Sequence, residues 1–144
     1  MSSTQTSKAR PRVDGESITI GLLGLGTVGS AFLQVLEAGQ REMSRRLAQD
    51  LIVQRIAVRD LAKQRNVESF DLGSRLTDDP WTVVNDPGIQ IIVEVMGGDD
   101  LAKELISQAI RNGKSVITAN KALLAKHGSE IFALAEAHQV ALGF

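Results

Sequence analysis

Apolar and polar positions along this chain fall into alternating blocks. Short apolar runs of strand length are followed by stretches whose apolar residues recur every three or four positions. Ile18 to Leu23 is the first run, and it leads into Gly24-Leu25-Gly26-Thr27-Val28-Gly29. From Thr27 onward, Val28, Phe32, Val35 and Leu36 recur at helical spacing and predict a helix with that buried stripe. Glu37 with Arg41, and Glu42 with Arg46, stand four apart with the acid first, which marks its solvent side. Leu51 to Val58 reads as a second strand, with Ile52, Ile56 and Val58 on one face and Val53 and Ala57 on the other.

Asp60 to Thr77 follows no clear period and stays unassigned. Asp79-Pro80-Trp81 predicts a helix start, with Asp79 as cap and Pro80 in the first turn, and Asn85-Asp86-Pro87-Gly88 ends that short helix. Ile89 to Met96 is almost continuously apolar, as a central parallel strand covered on both faces must be. After Gly97-Gly98, Asp99 or Asp100 caps a helix with stripe Leu101, Leu105, Ile106, Ala109 and Ile110, stopped by Asn112-Gly113. Ser115 to Thr118 is the next strand. Asn120 caps a short helix, Lys121 to Lys126, ended by His127-Gly128, and Ser129 caps another with Ile131, Leu134 and Ala135 inward. Val140 to Leu142 is a last short strand. This alternation predicts an α/β fold, a doubly wound parallel sheet of the Rossmann type. Such sheets bind ligands at the carboxyl ends of their strands, which here brings Gly24–Gly29, Val58–Asp60, Gly97–Gly98 and Thr118–Lys121 to one crevice.

Composition narrows the possible chemistry. The 144 residues suffice for one domain, 43% are hydrophobic and the net charge is −1. No basic patch points to nucleic acid, and no apolar run reaches membrane-span length. Without cysteine there is no disulfide, thiolate nucleophile or zinc–thiolate site, and two histidines alone make no metal cluster. Residues 1–15 are polar, rich in Ser and Thr, and read as a flexible tail ahead of a dinucleotide-binding domain over 16–144. A transit peptide is the other reading of that tail; a secretory signal is excluded by its lack of an apolar centre. The expected setting is cytoplasmic.

The glycine run carries the first functional signal. Gly24 suits the tight turn out of a strand, Gly26 lets a pyrophosphate approach the backbone, and Gly29 lets the helix pack closely. Leu25, Thr27 and Val28 complete that candidate phosphate loop. At the end of the second strand, Arg59 is placed to meet an adenosine 2′-phosphate and Asp60 to meet a ribose hydroxyl. Both also read as solvated loop charges. The pair leans toward NADP, with NAD open. Gly97-Gly98 leaves room for a nicotinamide ribose or is a simple turn. Glu94, a carboxylate inside an apolar strand, needs a partner and reads as structural. Lys121 is the oddest placement, because the dipole at a helix start disfavours an ammonium there. It reads as a surface lysine or as a cation for charge at a reacting oxygen. Asn120 is explained as a helix cap.

Gly24-Leu25-Gly26-Thr27-Val28-Gly29, Ala57-Val58-Arg59-Asp60, Val93-Glu94-Val95-Met96-Gly97-Gly98 and Thr118-Ala119-Asn120-Lys121-Ala122-Leu123-Leu124-Ala125 together resemble homoserine dehydrogenase, from about Ile18 to Phe144. The resemblance implies NAD(P)-dependent interconversion of homoserine and aspartate 4-semialdehyde. It implies that Gly24 to Gly29 hold the pyrophosphate and that Arg59 lies at the adenosine 2′ position. Gly97, Thr118 and Asn120 would line the nicotinamide side, with Lys121 beside nicotinamide and substrate, assisting at the reacting oxygen. Family members continue into a substrate-binding and dimerising domain that supplies further catalytic residues and a metal-ion site. The expectation is therefore a chain that binds NAD(P) but turns over homoserine poorly, and that dimerises only with that domain. A non-catalytic nucleotide-binding or redox-sensing module is the other reading; the Thr118–Ala122 block argues against an aspartate dehydrogenase.

Overall fold

The computed structural model describes residues 17–63, 65, 67 and 70–144; the predicted tail lies outside them. Six parallel strands form one sheet in the order β3-β2-β1-β4-β5-β6. They are β1 (Ile18–Leu23), β2 (Leu51–Ala57), β3 (Leu76–Thr77), β4 (Ile91–Glu94), β5 (Ser115–Thr118) and β6 (Leu142–Gly143). The helices are α1 (Thr27–Leu47), α2 (Pro80–Val84), α3 (Asp100–Arg111) and α4 (Lys121–Ala137). The order reverses direction between β1 and β4, the switch point at which doubly wound sheets take ligands.

The sheet is covered on both faces, so its strands alternate between two cores rather than between core and water. Ile20, Leu22, Val53, Ile56 and Val93 pack with Leu33 and Leu36 of α1. Leu23, Ile92 and Val116 pack with Val83 of α2, Leu105 and Ile106 of α3, and Leu123 and Ile131 of α4. Described residues of the unassigned stretch join the α1 face. Val67, Phe70 and Leu72 lie against that core, where a crossover helix would otherwise sit.

Four expectations are corrected. In β2 the pairing passes from Ile20↔Val53 to Gly21↔Arg55, so Gln54 is an extra residue. That bulge shifts the alternation: Val53 and Ile56 share the α1 face, whereas Ile52 is exposed. In α1 the buried residues are Gly29, Leu33 and Leu36, while Val28 and Val35 are 53% and 71% exposed. The helix turns its smallest side chain to the sheet, because an added Cβ at Gly29 would collide with the Gly24 carbonyl oxygen. In α3, Leu101 is exposed and Ala102 is buried in its place. Finally, Lys121–Lys126 and the segment after Ser129 are one helix, α4. Gly128 does not stop it; it is buried within it, at an interior cost of about 1 kcal/mol against alanine.

Asp99 precedes α3 without a side-chain cap, the apolar run at Ile89–Met96 is strand only over Ile91–Glu94, and the last strand is Leu142–Gly143 rather than Val140–Leu142. The caps of α2 and α4 and the stop after α3 form as predicted. Asp79 Oδ1 accepts the Trp81 amide at 3.0 Å, and Asn120 Oδ1 accepts the Leu123 amide at 3.0 Å. Gly113 has φ +77° just past α3. Arg46 pairs with Glu42 at 2.8 Å, but Glu37 and Arg41 do not pair. Among the described residues no helix is long and apolar enough to cross a membrane.

Candidate functional site

The three glycines after β1 differ in what demands them. Gly24 has φ +101°, and a Cβ there would press within 3.1 Å of the Met96 backbone, so the turn and the neighbouring strand both require glycine. Gly29 is required by the close approach of α1. Gly26 is required by no contact among the described residues: an added Cβ would find none of their atoms within 4 Å. The space beside Gly26 is therefore open, and it adjoins the start of α1.

That helix start is unlike the other three. Asp79 caps α2, Asn120 caps α4, and α3 carries Asp100 in its first turn. α1 begins at Gly26 with neither a side-chain cap nor an acid in its first turn. A 21-residue helix thus presents its positive end and unpaired amides to the crevice, an arrangement suited to an anion.

A cavity of about 620 Å³ opens there. Gly24, Leu25 and Gly26 form one wall, Val95, Met96 and Leu101 another, and Val58, Arg59, Asp60, Lys63, Arg65, Asp78 and Pro80 the outer end. The two charges at the end of β2 are sorted by geometry. Asp60 Oδ1 accepts the Ala62 amide at 2.9 Å, and its carbonyl accepts Arg65 Nη2 at 2.5 Å. Asp60 therefore shapes its own loop, while Arg59 makes no hydrogen bond or ion pair among the described residues. Sequence reasoning missed Lys63 and Arg65. They sat in the aperiodic stretch, and only their spacing from Arg59 hinted that the turn would return them to the crevice.

On the other side of the switch point, Gly97 and Gly98 both take φ +76° with open space around their Cα atoms. Thr118 is 2% exposed and its hydroxyl donates to Glu94 Oε2 at 2.6 Å, so its side chain is turned inward rather than into the crevice. Asn120 Nδ2 donates to the Gly98 carbonyl, tying the glycine turn to α4. Lys121 is exposed and has no partner among the described residues. Lys126, one turn along, pairs with Asp99 at 2.7 Å; that hydrogen bond holds Asp99 below the usual carboxylate range and Lys126 above the usual lysine range. Among the described residues, the free cation on this helix edge is Lys121. Thr27 and Val28 are exposed at the helix start. Gly97, Thr118, Asn120 and Lys121 lie outside the lining of the large cavity, beyond β4. Among the described residues no group of three or more His, Cys, Asp or Glu is placed to hold a metal ion.

Comparison with known proteins agrees with this geometry. Residues 24–144 match the family model described as homoserine dehydrogenase, NAD binding domain. The homoserine dehydrogenase of Pseudomonas aeruginosa is 43% identical over 127 residues, covering 88% of this chain and 28% of that protein. That of Methylobacillus glycogenes is 45% identical over 108 residues, 75% of this chain and 26% of its own length. The crystal structure of a homoserine dehydrogenase from Thiobacillus denitrificans superposes with a TM-score of 0.82 at 49% identity, covering 90% of this chain and 30% of that one. The chain thus spans under a third of the length of each of these three relatives.

Proposed function

This chain belongs to the homoserine dehydrogenase family, as its NAD-binding domain, and from that premise we propose how the crevice works. The pyrophosphate of a nicotinamide dinucleotide rests on the open backbone at Gly26 and the uncapped start of α1, with Leu25, Thr27 and Val28 around it. The adenosine half lies in the large cavity, and its 2′-phosphate meets Arg59, with Lys63 and Arg65 adding positive charge. NADP is therefore the preferred cofactor and NAD the weaker one. The nicotinamide half lies over Gly97 and beside Asn120 and Lys121.

The reaction served is hydride transfer between homoserine and aspartate 4-semialdehyde. When bound, the nicotinamide ring supplies the hydride acceptor or donor. The chain's own residues orient and stabilise: Gly97 and Gly98 keep the wall free of side chains, and Asn120 holds that turn against α4. Lys121, the unpaired cation at the helix start, stabilises negative charge at the substrate oxygen. The observation that carries this reading is the space at Gly26 beside an uncapped helix, since no contact among the described residues accounts for a glycine there.

Titrating NADP and NAD into the wild-type chain and Arg59→Ala, with Trp81 fluorescence as signal, tests the cofactor assignment. The substitution should weaken NADP by about 1.5–3 kcal/mol, the range for hydrogen bonds to a charged group, and leave NAD nearly unchanged. Equal loss for both cofactors would remove Arg59 from the 2′ position.

A further inference from the structure

Glu94 is completely buried at the end of a central strand. A buried carboxylate needs several good acceptor contacts to persist there. Both of its oxygens are used. Oε1 accepts the Met96 amide at 2.9 Å, and Oε2 accepts the Thr118 hydroxyl at 2.6 Å. The hydroxyl oxygen of Thr118 in turn accepts the Asn120 amide at 3.0 Å. Asn120 donates from Nδ2 to the Gly98 carbonyl. From Gly98 the chain runs back through Gly97 to Met96, which closes the circuit on Glu94.

The circuit encloses the two features that face the nicotinamide side. Gly97 lies within the covalent part of the loop, and Lys121 leaves from its Asn120 corner. Backbone pairing alone does not set this geometry. β4 and β5 stop at Glu94 and Thr118, and both Gly97 and Gly98 adopt a left-handed conformation with no side chain to pack. We propose that Glu94 is a positioning residue. Its carboxylate, acting through Met96 and through Thr118 and Asn120, fixes the Gly97–Gly98 turn and the start of α4, and so shapes the nicotinamide half of the site without touching the ligand. This rests on the dinucleotide reading given above.

The test separates the two halves of the ligand. The wild-type chain, Glu94→Gln, Thr118→Val and Thr118→Ser are each titrated with NADPH and with adenosine 2′,5′-bisphosphate, which lacks the nicotinamide half. Glutamine keeps the volume but faces one of two donors with its own N–H groups; valine keeps the shape of threonine without the hydroxyl. Both variants should weaken NADPH roughly tenfold, the scale of one lost charge-assisted hydrogen bond, and leave the bisphosphate within about twofold. Thr118→Ser, which retains the hydroxyl, should recover NADPH affinity. Equal weakening of both probes, no weakening of NADPH, or loss of folding in both Glu94→Gln and Thr118→Val would overturn the inference. A wild-type chain that bound neither probe would overturn the dinucleotide reading itself, and this inference with it.

Discussion

The two ends of the sheet use the same residue types in opposite ways. At the amino end, Lys114 is only 4% exposed, and its ammonium donates to the carbonyls of Asp86 and Ile89 at 2.5 and 2.6 Å. Beside it Arg55 pairs with Asp86 at 3.0 Å, and the Asp86 carboxylate also accepts the Gly88 amide at 2.8 Å. Each charge there has its partners. At the carboxyl end Lys121 and Arg59 are exposed and unpartnered among the described residues, and the longest helix starts without a cap. Lys114, which serves the fold, is buried and saturated by the chain; Arg59 and Lys121, proposed to meet a ligand, are left open to it.

The contrast can be broken most readily at Lys114. Replacement by methionine keeps most of the volume but leaves two buried carbonyls without their donor. Stability should fall by about 2–4 kcal/mol in chemical denaturation, with dinucleotide affinity unchanged in the folded protein. A loss below about 0.5 kcal/mol would make the amino end as incidental as a solvated surface. The next effect is smaller and depends on pH. Burial pushes the Asp86 carboxyl up, but the Gly88 amide, Arg55 and Lys114 outweigh it and hold it below its ordinary value of 3.8. A depressed carboxyl stabilises the fold above that value and loses its contribution as the pH falls through the folded one. Asp86→Asn should therefore cost about 1 kcal/mol at neutral pH, and the two stability curves should converge below about pH 4. Parallel curves would contradict the assignment. Smallest of all, Lys121→Met should change stability by less than about 0.5 kcal/mol, because no contact is lost. A larger destabilisation would mean that Lys121, like Lys114, belongs to the fold.

These two ends were not equally legible in the sequence. Strand and helix order, the caps at Asp79 and Asn120 and the glycine turn could be read because each depends on local pattern and backbone conformation. The burial of Lys114 could not, since nothing near Asn112-Gly113 announces that carbonyls more than twenty residues earlier will converge on it. Val28 and Val35 misled for a related reason. Hydrophobicity suggested the α1 stripe, but close packing decided it, and the usable signal was Gly29 with Leu33 and Leu36 in register behind it. The bulge at Gln54 hid the faces of β2, because an inserted residue leaves composition unchanged and moves only the phase. Glu94 could be read as needing a partner; which partner depended on the register of β4 with β5.

The claim on which the rest depends is that Gly26 is kept open for a ligand's phosphates. Substituting Gly26→Ala and titrating NADPH, with thermal and chemical unfolding followed in parallel, tests it most directly. The added Cβ meets nothing among the described residues, so stability should change by less than about 1 kcal/mol, the scale of residue preference at a helix cap. Affinity should nevertheless fall by about tenfold or more, as the methyl group holds the pyrophosphate off the helix amides. Unchanged affinity in a folded Gly26→Ala protein would contradict the account.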